Sequence, residues 1–306
     1  MRIGERSGGV AVAVLASAVL IGLAFAAGMA PAGAMRVPGL AEAGAPLGLV
    51  NLKSARIVDL TYPFDQNTIY WPTAISGFQL KRLSFGWTGS GYFYADNSFC
   101  TPEHGGTHID APIHFAEGRL TVDQVPVRQL IGPGVVIDIS RKASADPDYR
   151  LSPGDVRRWE AAHGTIPEGA IVLLRTGWGK RWPDRKRYLG DDAPGDASRL
   201  HFPSYGAATA ELLVKERNVA ALGVDTASID HGPSRDFIVH QIANKANVPG
   251  LENIANLEEL PEQGAWIIAL PMKIGGGSGG PLRIVALIPE LTRGRPTSQA
   301  PPFTDR

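Results

Sequence analysis

Cysteine is almost absent: Cys100 is the single one in 306 residues. No intrachain disulfide can form and no thiolate metal cage can be built. A lone cysteine of this kind reads as a small apolar residue rather than a nucleophile. Net charge is absent too, with 30 basic residues against 30 acidic ones and the signs interspersed. Nothing steers the chain toward nucleic acid or an anionic membrane. No internal repeat and no linker dividing the core is found. The glycine-rich run Gly275–Gly280 contains no lysine and no Walker pattern follows it, which excludes a phosphate cradle. No nucleophile elbow is read from the chain, which sets aside the serine hydrolases.

What is present is ordinary globular material, 44% hydrophobic and 20% charged, enough for a sizeable core. Arg2 and Arg6 precede an apolar run from Val10 to Ala27, and small residues follow to Ala34. Positive flank, apolar middle and Ala-Gly-Ala exit predict a signal peptide over 1–34 and a periplasmic or secreted protein with no membrane attachment after cleavage. Removing Arg2, Glu5 and Arg6 leaves 28 basic and 29 acidic residues. Residues 35–53 read as a flexible lead-in, 54–291 as one α/β domain and 292–306 as a Pro-rich tail.

Short apolar runs predict strands at Ile57–Leu60, Gln79–Leu83, Tyr92–Phe99, Val135–Ile139, Ile171–Arg175, Val219–Val224, Trp266–Leu270 and Ile284–Ile288. Several are continuous and β-branched, as expected for strands covered on both faces. Ser152-Pro153-Gly154-Asp155 predicts a helix running to about Ala162 and stopping at Gly164. A second helix is expected from Ser204 to Arg217. Residues 181–203 read as a long polar surface excursion.

The chemistry concentrates in His104-Gly-Gly-Thr-His108-Ile-Asp110-Ala-Pro-Ile-His114. Pro112 and the paired glycines disfavour a helix here. On extended backbone His108 and Asp110 project to the same side, and the glycines let His104 fold back toward them. Imidazole with carboxylate suits Zn²⁺, Mn²⁺ or Fe²⁺. Histidines that are merely hydrogen-bonded on a polar loop are the plain alternative.

This segment resembles the cyclase-like family, whose members include bacterial kynurenine formamidases and isatin hydrolases. The family motif His-x-Gly-Thr-His-x-Asp-x-Pro-x-His is matched at each fixed position. Trp71-Pro72, Gly223-Val224-Asp225, the pair His240 and Glu252, and Gly277–Arg283 extend the likeness over roughly residues 55–290. The resemblance implies a mixed β-sheet core with flanking helices, of the swivelling β/β/α type. It implies that His104, His108 and Asp110 are metal ligands. It implies that His240 and Glu252 complete a second metal position bridged by Asp110, and that His114 is the catalytic acid/base. One or two divalent ions are implied, Mn²⁺ as in isatin hydrolases or Zn²⁺ as in formamidases, together with a dimer or tetramer.

The expected reaction is hydrolysis of a small cyclic aromatic amide of the isatin type by metal-activated water. An arylformamidase acting on N-formylkynurenine is the alternative, and a non-catalytic periplasmic metal-binding protein is the alternative of another class. Trp71, Trp87 and Tyr92 are expected to form an apolar wall for the substrate. Asp230-His231 is a candidate for a supporting role, and Asp225 for orienting a loop.

Overall fold

The structure is a computed structural model that describes residues 51–290. The expected signal peptide, nearly all of the lead-in and the tail lie outside the described residues.

Seven strands close into a barrel. In order around it they are β12 (Gly279–Ile288), β11 (Trp266–Pro271), β5 (Ile131–Asp138), β7 (Ile171–Arg175), β9 (Ala221–Val224), β10 (Gly250–Glu252) and β4 (His108–Asp110). Strand β4 returns to β12 and closes the ring. The first half of β12, Gly279–Pro281, pairs with β4. Its last residues pair along the same edge with β1 (Arg56–Asp59). The run β5-β7-β9-β10 is parallel and the other barrel pairings are antiparallel, so the sheet is mixed.

Alternation along β7 shows how the barrel is filled. Ile171 and Leu173 point inward to a cluster with Ile109, Val136, Leu251, Ile267 and Ile284. Val172 and Leu174 point outward and pack with Trp159, Leu213 and Val239 from the covering helices. Those are α2 (Pro153–His163), the last turn Leu212–Glu216 after α4 (Ala207–Glu211), and α5 (Ile238–Lys245). Successive strand side chains face opposite ways, so a strand covered on both sides must be apolar throughout.

Helix α2 starts as expected. Ser152 is its N-cap and forms a reciprocal capping box with Asp155, and Gly164 ends it at a φ of 89°. Asp155 also pairs with Arg158 at 2.7 Å and with Lys142, and hydrogen bonds from Lys142, Tyr149 and Ser152 overcome burial to hold its carboxyl well below the usual range.

Two expectations are corrected. Ser204–Tyr205 is a short strand, β8, paired in parallel with β6 (Arg150–Leu151), and the helix begins only at Ala207. The Ser204 hydroxyl donates to the carbonyls of Ser228 and Ile229, and the Tyr205 hydroxyl to those of Val172 and Gly223. These long-range bonds fix the residues in extended form. The segment 181–203 is not a plain surface excursion either. It contains α3 (Arg185–Leu189) and buries Tyr188, Leu189, Leu200 and Phe202 in a third cluster with Ile69 and Trp178.

The strands β2 (Gln79–Trp87) and β3 (Phe93–Cys100) pair only with each other, as an antiparallel hairpin with a bulge between Arg82 and Ser84. Leu80, Leu83, Phe85, Trp87, Phe93, Tyr94 and Phe99 are all exposed on it. Among the described residues no helix is long and apolar enough to cross a membrane.

Candidate metal centre and active site

The closing strand β4 carries the site. Register places His108 opposite Glu252 and Asp110 opposite Gly250 on β10. Directly paired residues share a face, so His108, Asp110 and Glu252 converge while Ile109 enters the barrel core. On the other side Asp110 pairs with Gly279. A Cβ at Gly279 would lie 2.6 Å from the His104 ring and 2.5 Å from the Ile109 carbonyl, so glycine alone lets this strand approach. Gly105 has a φ of 155°, and a Cβ there would sit 2.1 Å from the Tyr70 ring. That is the turn that brings His104 back over Asp110. Helix α5 delivers His240 from behind.

Each of three rings has one nitrogen committed to an outside partner. The Nδ1 of His108 meets the Gly106 carbonyl at 3.0 Å, and that of His240 meets Asp230 at 2.7 Å. The Nε2 of His104 meets the Ser278 hydroxyl at 2.9 Å, and that hydroxyl donates to Glu103 at 2.6 Å. Since each outer partner accepts, or has its proton committed elsewhere, the committed nitrogen carries the ring proton. The opposite nitrogens face carboxylates. His104 Nδ1 lies 2.5 Å from Asp110 Oδ1, and His108 Nε2 lies 3.2 Å from the same oxygen. His240 Nε2 lies 3.0 Å from Asp110 Oδ2 and 3.2 Å from Glu252 Oε1.

Lone pairs aimed at carboxylates in a buried site require positive charge between them. Protons meet that demand in the protein alone. Burial by itself would lower His108, but Asp110 and Glu252 outweigh it and lift its pKa to about 9. Burial is likewise outweighed at His240, where hydrogen bonds to Asp110, Asp230 and Glu252 push the value well up. Burial and the Asp110 charge raise Glu252. Divalent cations would meet the same demand. His104, His108 and Asp110 form one group with ligand atoms within 4.8 Å of one another, and Asp110, His240 and Glu252 form another. The donor set fits one ion or an adjacent pair sharing Asp110.

The exclusion of a nucleophile elbow is corrected at its premise: Gly276-Gly277-Ser278-Gly279-Gly280 has the Gly-x-Ser-x-Gly spacing, and Ser278, His104 and Asp110 are linked by hydrogen bonds. The turn, however, leads into strand β12 rather than a helix, and the Ser278 proton is committed to Glu103. An elbow nucleophile needs the strand-to-helix turn and a proton donated to histidine. The arrangement is a ligand support.

The cluster forms the floor of a cavity of about 230 Å³ walled by Ile69, Tyr70, Trp71, Phe115 and Phe237. His114 lines it as well, and burial lowers its ring pKa to about 4. Trp71 lines this cavity, whereas Trp87 and Tyr92 do not. They stand at the hairpin tip, 77% and 58% exposed, and do not line the cavity of their own chain. Sequence reasoning missed Phe115 and Phe237, which pack on each other at 5.2 Å. Phe115 follows the motif directly, whereas nothing local marks Phe237. Asp230 supports His240, with both backbone and ring bonds. Asp225 accepts from Thr176 and Gly177 and fixes the turn after β7, and His231 lies outside the cavity lining.

Comparison with known proteins fits this geometry. Residues 58–231 match the model of the Cyclase family, described as "Putative cyclase". An isatin hydrolase of Roseibium aggregatum is 37% identical over 208 residues, covering 65% of this chain and 77% of that protein. A kynurenine formamidase of Polaromonas naphthalenivorans is 28% identical over 240 residues, covering 78% and 93%. Among solved structures, isatin hydrolase A from Labrenzia aggregata, bound to benzyl benzoate, superposes with a TM-score of 0.69 at 34% identity, covering 77% of this chain and 94% of that one. The barrel that β4 closes and the site on that strand place the chain in the cyclase-like family of metal-dependent hydrolases.

Proposed function

We propose that the protein hydrolyses the C–N bond of a small, uncharged, cyclic aromatic amide of the isatin type. The observation that carries this is the set of converging ring nitrogens and carboxylates on the floor of an aromatic-walled cavity. His104, His108 and Asp110 would hold one divalent ion, and Asp110, His240 and Glu252 an adjacent second, either Mn²⁺ or Zn²⁺. Such an ion acidifies a water and polarises a carbonyl.

The protein's own groups do the rest. Trp71, Phe115 and Phe237 clasp the flat ring and exclude bulk water. His114 is neutral near pH 7, and its ring makes no hydrogen bond among the described residues, so a ring nitrogen is open to a proton. It takes one from the attacking water and returns it to the amide nitrogen as the C–N bond breaks. One water is consumed, a C–O bond forms, and the ring opens to an aminoaryl keto acid.

The arylformamidase reading is less well supported. N-formylkynurenine carries an amino-acid group, and among the residues lining the cavity there is no lysine or arginine to receive its carboxylate. A hydrolysis assay of isatin, N-formylkynurenine and simple lactones, with Mn²⁺ or Zn²⁺ supplied, tests the assignment. Isatin should be the best substrate, and turnover of N-formylkynurenine alone would overturn it.

The working unit is a homo-oligomer joined through the β2–β3 hairpin. A two-stranded hairpin is marginally stable in water by itself, yet this one exposes eight large apolar side chains, from Leu80 to Phe99, at 47–77%. At about 150–250 Å² per aromatic, that surface is on the order of the ~800 Å² each partner buries in a stable complex. A second copy of the chain, with the same open strand edges, is the occupant favoured. The Arg-flanked apolar run and small-residue exit support export, with residues 1–34 removed and the mature protein periplasmic or secreted.

A further inference from the structure

We infer that Glu103 and Ser278 are positioning residues which fix the tautomer and orientation of His104, and so set how tightly the site holds its metal. This rests on the metal-site reading above.

Glu103 Oε2 accepts from both the hydroxyl of Ser278, at 2.6 Å, and its backbone N–H, at 3.0 Å. A carboxylate can only accept, so the serine proton points to Glu103. The serine oxygen is then left as acceptor for His104 Nε2 at 2.9 Å. The ring proton is held on Nε2, which makes Nδ1, 2.5 Å from Asp110 Oδ1, the nitrogen that a cation beside that carboxylate would take. A carboxylate pulling on the far side of a ligand ring raises the basicity of the near nitrogen, and losing such a partner costs about 10–100-fold in metal affinity.

His104 needs this support more than its fellows. Its side chain is 26% exposed, against 4% for His108 and 3% for His240, so packing alone restrains it least. The loop bearing Ser278 is anchored independently of the hydroxyl. Gly277 and Ser278 carbonyls accept from Val122 and Ala111, and the Gly276 N–H donates to Asp123. Removing the hydroxyl therefore breaks the link to His104 without freeing the loop. A second role for Ser278, as a nucleophile activated by His104, is the competing outcome.

The test is Zn²⁺ affinity by competition with a chelating dye on the full-length protein, with kcat and the melting temperature of the metal-free form recorded for each variant. Ser278→Ala and Glu103→Ala should weaken Zn²⁺ about 10–100-fold, with the Ser278→Ala melting temperature unchanged. Ser278→Thr, which keeps the hydroxyl, should bind close to wild type. Unchanged affinity in Ser278→Ala overturns the inference. So does loss of turnover with zinc held normally, which would make the serine a nucleophile. His108→Ala separates the two levels. If wild type binds zinc and His108→Ala does not, the metal site stands whatever Ser278 does. If wild type binds none, both readings fall.

Discussion

The imidazole of His114 lies stacked on that of His104, with ring centroids 3.8 Å apart and planes 19° from parallel. His114 lines the cavity, and its own nitrogens do not join the carboxylate cluster. His114→Ala should therefore keep the metal and lose turnover by about 10²-fold or more, the usual worth of acid–base catalysis. His108→Ala should lose metal and activity together. Metal content and kcat measured on the same preparations decide. Equal loss of metal in both variants would make His114 a ligand.

Asp225 gives the fold a pH signature. Burial raises its carboxyl to about 6, although Thr176 and Gly177 donate to it and pull the other way. The unfolded value is about 3.9, so between the two the native state binds more protons than the unfolded one. Stability from this group therefore rises as pH falls from above 6 to below 4 and is lost as pH rises. Urea melts of wild type and Asp225→Asn across pH 4–7 should show that the difference between them narrows or reverses as pH rises. Parallel curves would sink the assignment.

The hairpin proposal is tested by mass in solution. Wild type should run as a dimer or tetramer by light scattering at micromolar concentration. Phe85→Asp with Trp87→Asp should shift it toward monomer, because charges cannot be buried unpaired in an apolar interface. A wild-type protein that is monomeric throughout would refute the hairpin contact.

Export is read out by intact mass. Protein recovered from the native host should lack residues 1 to about 34. A full-length chain in the cytoplasm would overturn the signal-peptide reading.

Local features were legible from the sequence for a physical reason. His108 and Asp110 share a face because alternate residues do so on any strand, and β7 was legible because a doubly covered strand is a continuous apolar run, here Ile171 to Leu174, ended by Arg175. The start of α2 was legible because a Ser-Pro cap acts within one turn. The metal motif and the helix cap were thus determined by the sequence itself. His240 and Glu252 came only through family resemblance, since nothing in their neighbourhood marks them. Only the tertiary structure decided that β4 closes a barrel, which puts Glu252 across from His108. It also decided which nitrogen of each histidine is bare, through the Gly106 carbonyl, Asp230 and the Glu103–Ser278 pair. And it took Trp87 and Tyr92 away from the cavity while bringing in Phe237. Cross-strand register and hydrogen-bond partners join residues far apart in the chain, and no local period records such a pairing.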